Sequence, residues 1–155
     1  RMESGAIALK REWQPLQEVV GSALRHLDRR LRGREITTDV APDLPLVRID
    51  GEQIRRVIIN LVDNAVEAME RSGHIVVETS RDASNNIVRI VVADNGPGIS
   101  AAEREKLFLP YYSTKRRGSG LGLAIVRRII AEHGGSIDVS DNRPRGTRFT
   151  LELPS

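Results

Sequence analysis

The stretch DGEQIRRVIINLVDNAVEAM, residues 50–69, reads as one continuous helix. Ile54, Val57, Ile58, Leu61, Val62, Ala65, Ala68 and Met69 recur at the spacing of a single helical face, the stripe a helix needs to lie on a core. Asp50 stands at the N-cap position, where its carboxylate can accept a backbone N–H that the first turn leaves without a partner. Asn60, Asp63, Asn64 and Glu67 fall at i, i+3, i+4 and i+7 and share a second face bordering the stripe. Two asparagines one turn apart are poor helix formers and need a reason. Amide oxygens are hard donors of the kind Mg2+ accepts beside phosphates and water. A structural polar network and a metal or phosphate site both account for them.

Outward from this helix the chain falls into regular pieces. Upstream, Leu16, Val19, Val20, Ala23, Leu24, Leu27 and Leu31 keep helical spacing, so a helix is expected from Pro15 to about Arg32, stopped by Gly33. Strands are expected at Glu35–Val40 and Leu46–Ile49, on either side of Pro42 and Pro45. Downstream, Ser72-Gly73 ends the central helix. His74–Arg81 and Ile87–Ala93 read as a hairpin turning at residues 82–86. Residues 95–119 form a long irregular stretch with one helical turn near residues 103–108, and a loop of that length in a small domain is usually functional or disordered. A third helix follows at Leu121–His133, then strands at Ser136–Ser140 and Thr147–Leu153. The pattern predicts an α+β fold, a two-layer α/β sandwich with a mixed sheet.

Composition narrows the function. The 155 residues suit one domain with a full core, 39% apolar and 29% charged. With no cysteine, disulfides, thiolate metal sites and cysteine nucleophiles are excluded. No apolar run reaches membrane-span length and no secretory pattern opens the chain. The net charge is +3, with basic clusters at Arg25–Arg34 and Lys115–Arg117. None of the five aromatic residues is interleaved with the first cluster, which reads as a solvated helix face and not a nucleic-acid surface.

Three further motifs carry chemistry. Asp94-Asn95-Gly96-Pro97-Gly98-Ile99 ends an apolar strand. It is either a plain turn or a carboxylate set to accept a hydrogen bond from an exocyclic amine, with glycine backbone admitting a flat ring. Gly118-Ser119-Gly120-Leu121-Gly122-Leu123 opens a helix behind Lys115, Arg116 and Arg117, an arrangement that favours phosphate. It lacks the Gly-Lys-Ser/Thr of a Walker A loop. Gly146-Thr147, entering the last strand, is by itself only a turn. Phe108, Tyr111 and Tyr112 lie in the long loop, Phe108 reading as a packing anchor.

Taken in order, these motifs resemble the catalytic ATP-binding domain of bacterial sensor histidine kinases, a Bergerat or GHKL fold shared with gyrase, heat-shock protein ninety and mismatch-repair ATPases. Asn60-Leu-Val-Asp-Asn64-Ala is similar to the N box and Asp94–Gly98 to the G1 box. Leu107–Tyr112 is similar to the F box, Gly118–Gly122 to the G2 box and Gly146-Thr147 to the last glycine motif. The likeness spans roughly residues 15–154. Residues 3–50 resemble the potassium-responsive branch and residues 51–154 the nitrogen-regulatory branch, as in a natural mosaic or a chimera.

The resemblance implies about five main strands with three helices on one face and a flexible lid over ATP at residues 100–117. It implies ATP and Mg2+ as cofactors. Asn64 would hold the metal, with Asn60 helping at the phosphates and Asp94 taking the adenine amine. Gly96, Gly98 and Ile99 would line the adenine pocket, with Thr147 supporting it. Tyr112, Ser113, Thr114 and Lys115 would contact nucleotide from the lid, Lys115 serving catalysis with Asn60 and Asn64. Gly118, Ser119, Gly120, Leu121, Gly122 and Leu123 would cradle phosphate. Hydrolysing relatives carry a water-activating glutamate where this chain has Asn60, an amide of no useful basicity, so transfer is expected over hydrolysis. Glu67 departs from the basic residue many relatives carry there, leaving positive charge to Lys115, Arg116 or Arg117.

His26, His74 and His133 all lie outside any His-Glu-x-x-x-Pro setting and read as structural. The acceptor histidine would then stand on upstream dimerisation helices, whose tail is residues 1–12, the catalytic domain being residues 13–155. A response regulator receiver domain would be the downstream partner. The domain would be monomeric by itself and cytoplasmic, its parent anchored in the inner membrane. An anti-sigma-type serine kinase and a non-catalytic nucleotide-gated module are the competing readings. The segment from Glu3 to Gln14 counts against the first, and intact Asn64, Asp94 and loop glycines against the second.

Overall fold

Strands with every second residue apolar can cover a core with one face, and the sheet is built that way. The structure is a computed structural model and describes residues 8–41, 44–69, 73–109 and 122–155. Its elements are β1 (Glu12–Gln14), α1 (Leu16–His26), β2 (Glu35–Val40), β3 (Val47–Ile49), α2 (Gly51–Ala68), β4 (His74–Asp82), β5 (Ile87–Asp94), α3 (Ala101–Arg104), α4 (Gly122–Glu132), β6 (Ser136–Asp141) and β7 (Thr147–Pro154). Five strands pair in the order β2-β4-β5-β7-β6. β2 and β4 run parallel, and β4–β5, β5–β7 and β7–β6 are antiparallel. The sheet is therefore mixed, as expected.

The register fixes which residues face the helices. Val92 lies opposite Val77 on one side and Phe149 on the other, and Ile90 lies opposite Thr79 and Leu151. These are buried, as are Val88, Ile75 and Leu153. Onto this face pack the stripe of α2 (Ile54, Val57, Ile58, Leu61, Val62, Ala65), the inner side of α1 (Leu16, Val20, Ala23) and Val126, Ile129 and Ile130 of α4. Burying an aliphatic side chain stabilises the fold by roughly 1.5–3 kcal/mol, so this one layer of side chains holds the domain.

Two features depart from the periodicity. α1 ends at His26, not Arg32, and the chain continues in tight turns, with Leu31 N–H donating to the carbonyls of Leu27 and Asp28. Leu27 and Leu31 still pack on the core, so the apolar rhythm outlasts the helix. β1 pairs antiparallel with β3 as a separate two-stranded ribbon, Trp13 opposite Arg48. That ribbon is tied down where Lys10 N–H donates to Asp50 Oδ2 at 3.0 Å.

Asp50 caps α2 as expected, its Oδ1 accepting from Gln53 N–H at 3.2 Å. Its own N–H donates to His133 Nε2 at 3.0 Å, while His133 Nδ1 bonds the carbonyl of Ile129 at 2.8 Å. His133 is buried, and that burial pushes its imidazole below the usual range. Gly134, at φ +76°, turns the chain out of α4 and into β6.

Candidate functional site

The two-residue period that buries Val88, Ile90 and Val92 carries one step further, to Asp94. A carboxylate is thereby aimed at the helix layer at the very end of β5, where it is 4% exposed. Burying an ionisable side chain demands compensation. Its Oδ1 accepts the N–H of Gly96 at 2.8 Å and of Thr147 at 3.3 Å. Thr147, on the neighbouring strand, is buried as well.

The turn behind Asp94 is braced from outside. Asn142 donates to the Asp94 carbonyl at 2.8 Å, and Arg145 Nε donates to the Gly96 carbonyl at 2.9 Å. Gly98 has φ +83° and Gly146 φ +113°. A Cβ on Gly146 would stand 1.9 Å from the Asp94 carbonyl oxygen, so only glycine lets the two strands approach here.

Across from Asp94 stands the last turn of α2. Together they enclose a cavity of about 290 Å3, lined by Asn64, Glu67 and Ala68, by Asp94, Pro97, Gly98 and Ile99, by Glu103 and Leu107, and by Thr147 and Phe149. Its volume is at the small end of ligand clefts. The structure thus brings Asn64, Asp94, Gly98, Ile99 and Thr147 together around one cavity, with Gly96 bonded to Asp94. Asn60 lies one turn back on α2, half-buried and not among the lining residues. Gly122 opens α4, and a Cβ there would meet nothing within 4 Å among the described residues. Leu123 is half-buried against the core. Tyr112, Ser113, Thr114, Lys115, Arg116, Arg117, Gly118, Ser119, Gly120 and Leu121 lie outside the described residues, as does the lid beyond Leu109.

Pro97, Glu103, Leu107 and Phe149 also line the cavity, though the spacing of motifs did not single them out as ligand contacts. The signal for Glu103 was available: Ser100 and Glu103 form a capping box on α3, with Ser100 Oγ accepting Glu103 N–H at 3.2 Å. Phe108 packs partly buried against the core, 5.8 Å under the Arg127 guanidinium, as an anchor should. A larger hollow of about 600 Å3, between β1, α1 and the start of α2, contains none of the expected site residues. The chemistry is concentrated at the smaller one.

Asp63 and Glu67, on either side of Asn64 along α2, sit beside a cation whose pairing with them was not read from sequence. Arg30 Nη2 lies 2.9 Å from Asp63 Oδ1 and 3.6 Å from Glu67 Oε2. The expected solvated helix face is thus only partly one: Arg25, Arg29 and Arg32 are exposed, while Arg30 and Arg34 are half-buried beyond the end of α1.

Comparison with known proteins agrees with this geometry. Residues 49–155 match the family described as histidine kinase-, DNA gyrase B-, and HSP90-like ATPase. The sensor histidine kinase ZraS of Klebsiella oxytoca is 37% identical over 148 residues, covering 94% of this chain and 32% of that protein. The sensor protein KdpD of Escherichia coli strain K12 is 35% identical over 158 residues, covering 99% of this chain and 17% of that protein. The chain therefore spans a third or less of these relatives. Among solved structures, full-length ShkA in complex with AMPPNP superposes with a TM-score of 0.85 at 30% identity, over 97% of this chain and 32% of that one. The nucleotide-free catalytic domain of histidine kinase ThkA superposes with a TM-score of 0.84 at 33% identity, over 94% of this chain and 96% of that one. The chain belongs to the histidine kinase-, gyrase B- and HSP90-like ATPase family, as a catalytic domain of the sensor histidine kinases.

Proposed function

We propose that this domain binds ATP with Mg2+ and donates the γ-phosphoryl group to a histidine on separate phosphoacceptor helices. The observation that carries the reading is the buried Asp94 carboxylate, aimed into the cavity beside Thr147 and facing Asn64 on α2. A carboxylate held by two backbone N–H groups is a fixed acceptor, suited to the exocyclic amine of adenine. Gly98 and Ile99 then bound the ring, and Pro97 stiffens the turn that carries them.

Asn64 lies on the opposite wall and offers a hard amide oxygen. That donor fits Mg2+, which keeps several waters and takes phosphate oxygens along with one or two protein ligands. The ion, when bound, neutralises charge on the phosphates. Asn60, one turn back, extends the same polar face toward them. Neither amide can take a proton from water, which favours transfer to another nucleophile over hydrolysis. The proposal keeps Tyr112, Ser113, Thr114 and Lys115 as lid contacts and Gly118, Ser119, Gly120, Leu121, Gly122 and Leu123 as the phosphate cradle.

The ShkA neighbour holds AMPPNP, and ThkA has been solved with the response regulator TrrA. By that likeness we propose a receiver domain as downstream partner, and as part of the same reading we assign residues 13–155 as the catalytic unit, monomeric by itself. No helix among the described residues is long and apolar enough to cross a membrane. The anchored parent is part of the proposal.

Calorimetric titration with AMPPNP, with and without Mg2+, tests the site. Binding should vanish in Asp94→Ala, and its Mg2+ dependence should be lost in Asn64→Ala. Failure of a folded wild type to bind would sink the reading.

A further inference from the structure

The candidate cavity is lined by three carboxylates, Glu67, Asp94 and Glu103. Asp94 has its backbone donors, and Glu103 closes the capping box with Ser100 N–H at 3.4 Å and Ser100 Oγ at 3.2 Å. Glu67 differs. It stands one turn after Asn64 on the cavity side of α2, with a side chain only 19% exposed, and Arg30 lies 3.6 Å away.

A polyphosphate brought next to Asn64 would meet the Glu67 charge at short range, where like charges repel and partial burial weakens screening. Arg30 answers that charge, and it does so from an anchored stretch of backbone. Its carbonyl accepts from Arg34 Nη1 at 3.1 Å, and the following Leu31 is packed on the core. The same nitrogen that reaches Glu67 is 2.9 Å from Asp63, so the guanidinium bridges two acids one turn apart on α2. Asp63 and Glu67 are spaced so that one cation satisfies both.

We propose that Arg30 is a positioning residue for the phosphate end of the nucleotide site: it neutralises and orients Glu67 and thereby sets how strongly the domain prefers a triphosphate over a diphosphate. The proposal rests on the reading of the cavity as a nucleotide site with the phosphates near Asn64.

The test is titration of the whole chain with AMPPNP and with ADP, both with Mg2+, for wild type, Arg30→Gln, Glu67→Gln and the double variant, with thermal melts alongside. Arg30→Gln should weaken AMPPNP on the order of three- to five-fold, the size of a partly exposed charge pair, and ADP by less. Glu67→Gln, which leaves Arg30 with less acid to neutralise, should tighten AMPPNP. The double variant should return close to wild type. A wild type that binds neither nucleotide overturns the cavity reading and this proposal with it. With binding intact in wild type, three results overturn the proposal alone: equal losses for AMPPNP and ADP in Arg30→Gln, no loss there, or no tightening in Glu67→Gln. Where Arg30→Gln does not fold, an absence of tightening in Glu67→Gln still overturns the proposal.

Discussion

Asp94 and Gly146 show how one residue's geometry constrains another's identity. Asp94 faces inward because the strand period leaves it no choice, and that was legible: an apolar strand ending in Asp-Asn-Gly-Pro-Gly is visible in sequence. The reason for Gly146 was not, because it lies in the approach of a strand 52 residues away in the chain. Its φ of +113° and the 1.9 Å approach of a Cβ to the Asp94 carbonyl oxygen both forbid a side chain. Gly146→Ala should therefore cost about 3 kcal/mol or more, combining backbone strain with overpacking, and should lower the melting temperature by roughly 10 °C. Gly122→Ala is the contrast. A Cβ there meets nothing within 4 Å among the described residues, at the first position of α4. It should leave the melting temperature unchanged or raise it slightly, since alanine is the better helix former. Equal losses from the two substitutions in a thermal melt would refute this ranking of the glycines.

At the scale of elements, the three long helices and the β4–β5 hairpin were readable because their signals are local, while the turn expected near residues 103–108 is a helix at Ala101–Arg104, set by the Ser100 cap. The end of α1 was not, since Leu27 and Leu31 continue an apolar rhythm that tight turns satisfy as well as a helix does. β1 was missed for a different reason: three residues with an exposed Trp13 give no alternation, and their partner β3 is far along the chain. The joint that ties these pieces together is His133, which accepts Asp50 N–H at the start of α2 from the end of α4. Its neutral form is required there, because a protonated Nε2 would meet a donor. Burial holds its affinity for a proton below the ordinary 6.5. The unfolded chain then binds a proton first as pH falls, so stability present above about 6.5 is lost toward the lower folded value. Urea midpoints between pH 7.5 and pH 5 should fall more steeply in wild type than in His133→Gln, which keeps an acceptor but does not titrate. Parallel curves would show that His133 has no part in the acid sensitivity. Asp50→Ala should independently cost about 1 kcal/mol as a lost cap.

For the whole molecule, layer architecture followed from the alternation of helix and strand, while the order β2-β4-β5-β7-β6 did not, because it depends on which distant edges meet. That order nevertheless builds the candidate site: it sets Thr147 beside Asp94 at one end of the sheet, across the cavity from the last turn of α2. The histidines lie elsewhere, none of them lining that cavity. His133 is buried between α2 and α4. His26 bonds Arg55 at 3.3 Å on the α1–α2 surface. His74 bonds Thr37 at 2.6 Å, and its N–H donates to Asn95, next to the carboxylate assigned to adenine. In-line phosphoryl transfer needs the attacking atom held at the γ-phosphate, and none of these rings is among the residues lining the cavity with Asn64. The chain alone, given γ-labelled ATP and Mg2+, should therefore bind nucleotide yet accumulate no acid-labile phosphohistidine. Label should appear only when phosphoacceptor helices bearing a histidine are supplied, and Asp94→Ala should abolish it. Acid-labile label on the isolated chain, lost in a His26→Gln or His74→Gln variant, would mean that the acceptor lies within this domain after all.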